Sequence, residues 1–218
     1  LNIIAEAAID QGVPLLVDAY HALNVVPFTL KDNGLESAFI VGGGYKYCQF
    51  GEGNCFLRIP DDCKSRPVIT GWYAEFGELE QTNNPNSTQY STGGDRFQGS
   101  TYDPTSHYRA SSVIDFFVEQ KLTIDFLRQL NQYQVGLLRD NFDALDRDST
   151  IISRADVPLD AVGGFLALKT NAAPSIQKAL FDRGIWTDQR DGYLRLGPAP
   201  YLTERQLTDA IVALGEII

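Results

Sequence analysis

Hydrophobic positions in the first third of the chain fall into one helical pattern and three short apolar runs. Residues 1–10 carry apolar side chains at helical spacing, and Gly12 follows where such a helix ends. Residues 13–18 and 38–41 are runs typical of strands buried on both faces, and residues 55–59 form a third that stops at Pro60. Helix, strand, crossover and strand predict an α/β domain with a largely parallel sheet.

The rest of the chain predicts a long loop, two helices and a smaller domain. Residues 80–103 are rich in Asn, Ser, Thr and Gly, which predicts a long loop, and such loops tend to be functional. Apolar periodicity then predicts two helices, at residues 106–120 and 123–145. The remaining pattern reads strand, helix, strand and helix, at 164–168, 174–183, 193–196 and 203–218. We therefore divide the chain into a domain of residues 1–120 and a smaller α+β domain of residues 121–218, which begins with the long helix.

Composition narrows the classes of partner. The formal net charge of −10 disfavours nucleic acid and anionic membranes, which bind through Lys and Arg. No apolar run approaches the roughly 20 residues of a membrane helix, and 44% hydrophobic with 21% charged residues is typical of globular domains. Three cysteines, without CxxC spacing, indicate neither a disulfide framework nor a metal site. We expect a cytoplasmic protein that binds no metal.

Three side chains that can take part in acid–base or covalent chemistry lie at or just after the ends of predicted strands. Asp18 ends the first strand, where ligands of open α/β sheets collect, and His21 comes three residues later. Lys46 follows the second strand in a glycine-rich loop, where the backbone leaves room for a small molecule. Taken singly, each residue has an ordinary structural explanation, a turn cap for Asp18 and a solvated side chain for Lys46.

Taken together, five segments occur in the order found in one enzyme family. The Asp18-to-His21 and Gly44-to-Gly53 segments resemble the D-x-x-H and YKY-containing motifs of kynureninase and its relatives in class V of the aminotransferase superfamily. Three further segments resemble the GW, RF-x-G-T and R-x-x-P-x-P-Y motifs of these enzymes: Gly71-Trp72, Arg96 to Thr101, and Leu194 to Tyr201. The fold implied is that of a fold-type-I enzyme using pyridoxal 5′-phosphate (PLP), here the C-terminal part of the large, mostly parallel-sheet domain and the small α+β domain.

The resemblance implies a role for each matching residue near the cofactor. Lys46 would bind the cofactor aldehyde as a Schiff base and then shuttle the Cα proton of the substrate. Asp18 would hold a proton on the pyridine nitrogen so that the ring accepts electrons. His21 would lie close to the ring or the substrate. Tyr45 would contact the cofactor phosphate and serve as an acid in later steps.

The remaining matches imply a shared site and a carboxylate clamp. Trp72 and Thr101 would reach the phosphate in a neighbouring subunit, which implies a homodimer. Arg195 would bind the α-carboxylate of an amino-acid substrate, a task suited to a planar bidentate donor. The structural alternatives are a core aromatic for Trp72 and a surface ion pair for Arg195.

Two features depart from the family pattern. Residues 48–53 place a bulky Phe50 and a charged Glu52 where kynureninases usually have an N-G-G-P-G type sequence, and this bears on substrate choice. The chain has no Met and begins with Leu1, and Asp18 comes almost at once. We therefore expect the C-terminal part of a longer enzyme, which binds PLP poorly unless the remaining part is present.

The leading functional hypothesis is PLP-dependent hydrolysis of kynurenine to anthranilate and alanine. The alternatives are another class V reaction, such as transamination, racemisation or β-elimination, and a non-catalytic homologue. Cysteine desulfurase is disfavoured, because that family has a His before its Lys where this chain has Tyr45, and a catalytic Cys far downstream where this chain has none.

Overall fold

The computed structural model describes residues 1–78, Asn86 and residues 88–218. Its residues form two compact units, which are described separately: unit 1 is Leu1–Leu23 with Phe28–Gln120, and unit 2 is Asn24–Pro27 with Lys121–Ile218. The helices are α1 (Asn2–Asp10), α2 (Thr105–Glu119), α3 (Ile124–Ala144), α4 (Ala173–Asp182) and α5 (Glu204–Ile217). The strands are β1 (Leu16–Asp18), β2 (Phe39–Gly43), β3 (Cys55–Arg58), β4 (Ser153–Arg154), β5 (Leu166–Lys169), β6 (Asp188–Arg190) and β7 (Tyr193–Leu196).

The first helix ends where the sequence predicts. Gly12 has a left-handed φ of +63°, a conformation that costs glycine little. The Gly12 N–H donates to Ile9 O over 3.0 Å, and the Val13 N–H donates to Ala8 O over 2.9 Å. This pair of bonds is the Schellman motif, which satisfies the last helical carbonyls and turns the chain towards β1.

The sheet of unit 1 has the strand order β1-β2-β3 and is mixed. Strands β1 and β2 are parallel, with Asp18 opposite Val41, as predicted. Strand β3 runs antiparallel to β2, so the expectation of a largely parallel sheet is wrong for this pair. The reason is the short connection 44–54, since a parallel neighbour needs a crossover of about a dozen residues or more.

The expectation that the first strand is buried on both faces is also wrong. Val17 is buried, whereas Leu16 and Asp18 on either side of it are exposed. Strand β1 lies at the edge of the three-stranded sheet, and its Val17 packs with Ala5 of α1 and Ile40 of β2. Only one face of β1 is therefore covered by the described residues.

Unit 2 is an α+β fold around a four-stranded antiparallel sheet. The strand order is β4-β5-β7-β6, and α3, α4 and α5 contribute to one apolar core. Two helix starts are capped as their sequences indicate: Thr123 accepts from the Phe126 N–H, and Thr203 forms a capping box with Gln206. Strands β4 and β6 were not predicted, because they are two and three residues long and polar.

The predicted long loop lies partly outside the described residues. Residues 80–85 and 87 are not described, and the described remainder of 80–103 contains a 3₁₀ helix at Asp95–Phe97. A second 3₁₀ helix, Trp72–Glu78, precedes this region. Across the described ranges, every helix is too short or too polar to cross a bilayer.

Candidate active site

Asp18 lies at the end of β1, next to β2, the strand that precedes the loop with Lys46. Asp18 is the last residue of β1, and its register partner Val41 lies two residues before the end of β2. The Ala19 N–H donates to Val41 O over 2.8 Å, which continues the pairing one residue past the strand. Asp18 Oδ1 accepts the Tyr20 N–H over 2.9 Å, so its carboxylate is fixed against the turn that follows.

That turn carries His21 to Lys46. The N–H groups of Ala22 and Leu23 both donate to Ala19 O, which closes a tight turn around His21. The Nζ atom of Lys46 lies 2.7 Å from Nε2 of His21. If the amine donates, Nε2 accepts and the imidazole proton is on Nδ1. The two residues predicted from separate strand ends are therefore in direct contact.

Two aromatic rings flank the Lys46 amine. Its Nζ lies 5.6 Å from the ring centroid of Tyr45 and 5.8 Å from that of Tyr20. The two rings are 5.7 Å apart, centroid to centroid, and tilted by 56°. Both distances from the amine fall within the range of about 6 Å at which a ring face attracts an ammonium. Tyr45 was predicted as a site residue, and Tyr20 was not.

Tyr20 occupies space that exists because residue 43 is glycine. A Cβ on Gly43 would lie 2.3 Å from Cε1 of Tyr20 and 3.1 Å from Sγ of Cys55. A hydrogen bond with Cys55, together with burial, raises the pKa of Tyr20 to about 12. The phenol is therefore protonated at neutral pH. The sequence could have indicated Tyr20 only in part, because it lies within the D-x-x-H segment. Its contact with Cys55 depends on the β2–β3 register, which pairs Cys55 with Gly43.

The segment that departs from the family pattern is a closed loop braced by α2. Gly44 N–H donates to Asn54 O, and Phe50 N–H donates back to Gly44 O, each over 2.7 Å. From α2, the Arg109 guanidinium donates to the carbonyls of Phe50 and Glu52, with 2.6 Å for the Nε–Phe50 bond. A Cβ on Gly44 would lie 2.6 Å from Cβ of Phe50, so the bulky Phe50 is accommodated by the missing side chain at Gly44.

The GW segment and the RF-x-G-T segment are joined through their backbones. Gly71 N–H donates to Gln98 O over 3.3 Å, and Tyr73 N–H donates to Gly99 O over 3.0 Å. A Cβ on Gly71 would lie 2.4 Å from Gly99 O, so this approach requires glycine. Trp72 is about half exposed rather than a core aromatic, and Thr101 is exposed.

Arg195 lies in unit 2, in the middle of β7. Its cross-strand partner is Asp188 of β6. The Arg195 Nη2 group donates to Asp188 Oδ2, and its guanidinium carbon lies 5.5 Å from the ring centroid of Phe165. The alternative of an ion pair at Arg195 is thus present in the structure, and the role in substrate binding stays a prediction.

The donor set at the end of the first sheet fits PLP. It contains a primary amine for the cofactor aldehyde, a carboxylate for the pyridine nitrogen, and an imidazole and phenols for hydrogen bonds: Lys46, Asp18, His21, Tyr20 and Tyr45. The described residues contain no cluster of three metal-binding side chains. The three cysteines are free thiols. A primary amine in such a set can form a Schiff base with the cofactor aldehyde.

Comparison with known proteins identifies the fold. No family model matches the chain, and no curated protein matches its sequence. Among solved structures, a cysteine desulfurase from Thermococcus onnurineus has a TM-score of 0.78 at 14% identity, covering 98% of this chain and 55% of that one. The cystine C-S lyase C-DES scores 0.74 at 16% identity, covering 94% and 52%. The cysteine desulfurase CsdA from Escherichia coli scores 0.73 at 14% identity, covering 97% and 53%.

These similarities bear on fold and on length. Identity between 14% and 16% is evidence for a shared fold alone. The chain spans about half the length of these structures and corresponds to their C-terminal part. The predicted fold class is confirmed: the chain has the α/β fold of fold-type-I PLP-dependent enzymes.

Proposed function

We propose that this chain carries the cofactor-binding lysine of a PLP-dependent enzyme that acts on an amino acid. The observation that supports this most is the contact between Lys46 Nζ and His21 Nε2 at 2.7 Å. It joins the segments that follow β1, which ends at Asp18, and its parallel neighbour β2, in a chain with the fold of such enzymes. An ordinary solvated lysine does not require an imidazole and two phenol rings around its amine.

Each side chain has one task in this proposal. PLP, when bound, supplies an electron sink for the bonds at the substrate Cα. Asp18 holds a proton on the pyridine nitrogen, and the Tyr20 N–H keeps its carboxylate in place. Lys46 anchors the cofactor and afterwards moves the Cα proton, because a deprotonated lysine amine held near the substrate can act as a general base. His21 accepts a hydrogen bond from the Lys46 amine and so orients the lone pair of the Lys46 nitrogen.

Three further residues extend the proposal beyond this strand end. Arg195 binds the α-carboxylate of the amino acid through parallel N–H groups. Trp72 and Thr101 contact the cofactor phosphate in a second copy of the chain, so the active enzyme is a homodimer. The exposure of both residues supports this assignment, because a core aromatic or a buried hydroxyl could not reach a partner.

For the reaction, we propose hydrolysis of the Cβ–Cγ bond of kynurenine, which yields anthranilate and alanine. This choice rests on the five motif resemblances of the sequence. A second candidate is cleavage of a carbon–sulfur bond, which the structural similarity to the cystine C-S lyase favours. The absence of any cysteine after Cys63 argues against a desulfurase that uses a downstream thiol.

The cofactor role is tested with the native protein and its variants. Lys46→Ala should abolish turnover and remove the visible absorbance of a lysine-bound cofactor. Asp18→Asn should retain the cofactor and lose nearly all activity. Lys31→Ala, an exposed lysine in the same unit, is the matched control and should behave like wild type. Normal turnover in either site variant would refute the proposal.

The two reactions are separated by their products. Kynurenine or 3-hydroxykynurenine should give alanine and an aromatic amino acid in equal amounts. Cystine should give no sulfur-containing product. Release of a persulfide or sulfide from cystine, with no alanine from kynurenine, would replace the hydrolase proposal by the carbon–sulfur lyase.

A further inference from the structure

The guanidinium of Arg195 is held by a neighbouring strand. Arg195 and Asp188 are directly opposite in the β7–β6 register, a placement that lets two side chains on one sheet face interact. The Arg195 Nη2 group donates to Asp188 Oδ2. The Arg195 side chain is 21% exposed and that of Asp188 is 64% exposed. Asp188 therefore reaches inward from solvent to a largely covered arginine.

The contact leaves most of the guanidinium donors open. An arginine side chain has five N–H donors, and this is the one hydrogen bond of the Arg195 side chain within the described residues. Among the described residues, the buried side-chain nitrogen and oxygen atoms without a hydrogen-bond partner are Arg96 Nε, Asn131 Oδ1 and Thr187 Oγ1. The remaining Arg195 nitrogens are not among these buried atoms, so they are accessible to solvent. Using one N–H of Nη2 leaves at least one complete pair of parallel donors. Such a pair binds a carboxylate in bidentate geometry.

Phe165 supplies a second restraint. The guanidinium carbon of Arg195 lies 5.5 Å from the Phe165 ring centroid, within the range of a cation–π contact. The ring and the Asp188 carboxylate are two separate contacts that restrain the guanidinium. An arginine that is restrained in this way loses less freedom when it binds a ligand than a mobile one does.

We propose that Asp188 is a positioning residue, which holds Arg195 so that its remaining parallel N–H groups donate to one α-carboxylate. The inference rests on the proposed function, because Arg195 is the residue assigned to the substrate carboxylate. Asp188 acts through Arg195 and touches no reacting atom. An ion pair that merely stabilised the sheet would have no effect on ligand binding. It would also contribute little to the stability of the fold, because most of Asp188 is exposed.

The first test uses the native protein with bound cofactor and two small amines. L-Alanine carries a carboxylate and ethylamine does not, and both are titrated while the cofactor absorbance is recorded. Asp188→Asn should raise the half-saturating concentration of L-alanine about tenfold, as expected for a lost charge-assisted contact, and leave that of ethylamine unchanged. Asp188→Glu should recover part of the loss. Asp182→Asn, which removes an exposed ion pair with Lys178 in the same unit, is the matched control.

The second test does not depend on the cofactor. Phenylglyoxal modifies accessible guanidinium groups, and peptide mass spectrometry reports the rate at Arg195 relative to the exposed Arg205. Asp188→Asn should label Arg195 severalfold faster than wild type, and Asp182→Asn should not. Unchanged labelling of Arg195 in Asp188→Asn would overturn the positioning role.

The outcomes separate the two claims. A wild-type protein whose absorbance does not respond to L-alanine would overturn the proposed function, and the carboxylate assignment of Arg195 with it. A normal wild-type response together with the same half-saturating concentration in Asp188→Asn would overturn only the role of Asp188. An equal weakening of L-alanine and ethylamine would also overturn it, because the effect would then not concern the carboxylate.

Discussion

The two units differ in how completely they cover their apolar surface. The core of unit 2 contains fourteen buried residues, including Leu138, Leu168, Leu180 and Ile211. Among the described residues of unit 1, the core contains six, three of which are alanines. Unit 1 nevertheless includes the longer stretch of chain. Hydrophobic burial is the main favourable contribution to folding, so unit 2 is the more self-sufficient of the two.

The exposed side chains lead to the same conclusion. Unit 1 exposes large apolar residues on α1, on β1 and on the segment before the Trp72–Glu78 helix: Ile3, Ile4, Ile9, Leu16, Val68 and Ile69. Val68 and Ile69 are each 94% exposed. Large apolar side chains that are exposed in such number need cover from elsewhere to be removed from water. All the predicted site residues except Arg195 also lie in unit 1. The unit with the smaller core thus holds most of the chemistry, and its stability depends on what covers it.

The largest expected effect contrasts one leucine from each unit. Leu168→Ala empties a fully buried position in the core of unit 2 and should lower the free energy of unfolding by about 3 kcal/mol. Leu16→Ala removes an exposed side chain of unit 1 and should cost no more than about 0.5 kcal/mol. Urea denaturation of both variants measures the difference. Equal losses would mean that the outer face of β1 is covered in solution, and would contradict the difference in burial between the two units.

A smaller effect is expected where unit 1 depends on close backbone contact. Gly71→Ala places a Cβ 2.4 Å from Gly99 O, and the resulting shift should cost about 2 kcal/mol. Gly99→Ala is the matched control, since a Cβ there meets nothing within 4 Å. Hydrogen exchange at the Tyr73 amide, which donates to Gly99 O, should accelerate only in the first variant. Equal exchange in both variants would show that this contact does not support unit 1.

In unit 2, loss of the capping box of α5 should lower the free energy of unfolding by about 1 kcal/mol. Thr203→Ala removes the acceptor for the Gln206 N–H at the start of the helix. Thr208→Ala changes the same residue type inside α5 and should cause no comparable loss. Thermal unfolding of the two variants is the measurement. An unchanged midpoint for Thr203→Ala would mean that α5 is held by its apolar face alone.

The smallest effect is a pH dependence from the Arg154–Asp143 ion pair of unit 2. The Arg154 guanidinium holds the pKa of the Asp143 carboxyl below its usual value. The stabilisation is therefore fully present above the unfolded pKa of about 3.9 and is lost as pH falls through the lower folded pKa. Because the pair is partly exposed, we expect less than about 1 kcal/mol. Asp143→Asn should flatten the acid limb of stability against pH, and an unchanged limb would contradict this.

The distance along the chain over which each signal acts, in both units, explains which parts of the structure could be predicted. Helices with a long apolar period and a recognisable end, such as α1 and α5, were predicted to within one or two residues, as was β7. These signals are local. The direction of β3, the one-sided burial of β1, and the short polar strands β4 and β6 depend on pairing between distant segments, which periodicity does not encode.

The site divides along the same line. Asp18, His21 and Lys46 could be identified because each lies at a fixed distance along the chain from a strand end. Tyr20 and Asp188 could not be identified, because strand register determines their partners. The β2–β3 register places Cys55 opposite Gly43, next to Tyr20, and the β6–β7 register places Arg195 opposite Asp188. A sequence pattern finds the residues at strand ends, and only the sheet shows which residues surround them.

The proposed role of Lys46 as the cofactor lysine can be tested by borohydride trapping. The native protein is incubated with PLP, reduced, digested and mapped by mass spectrometry. We expect one modified residue, Lys46, with no label there after Lys46→Ala and an unchanged label after Lys31→Ala. Label spread over exposed lysines such as Lys31 and Lys64, with none at Lys46, would contradict this role.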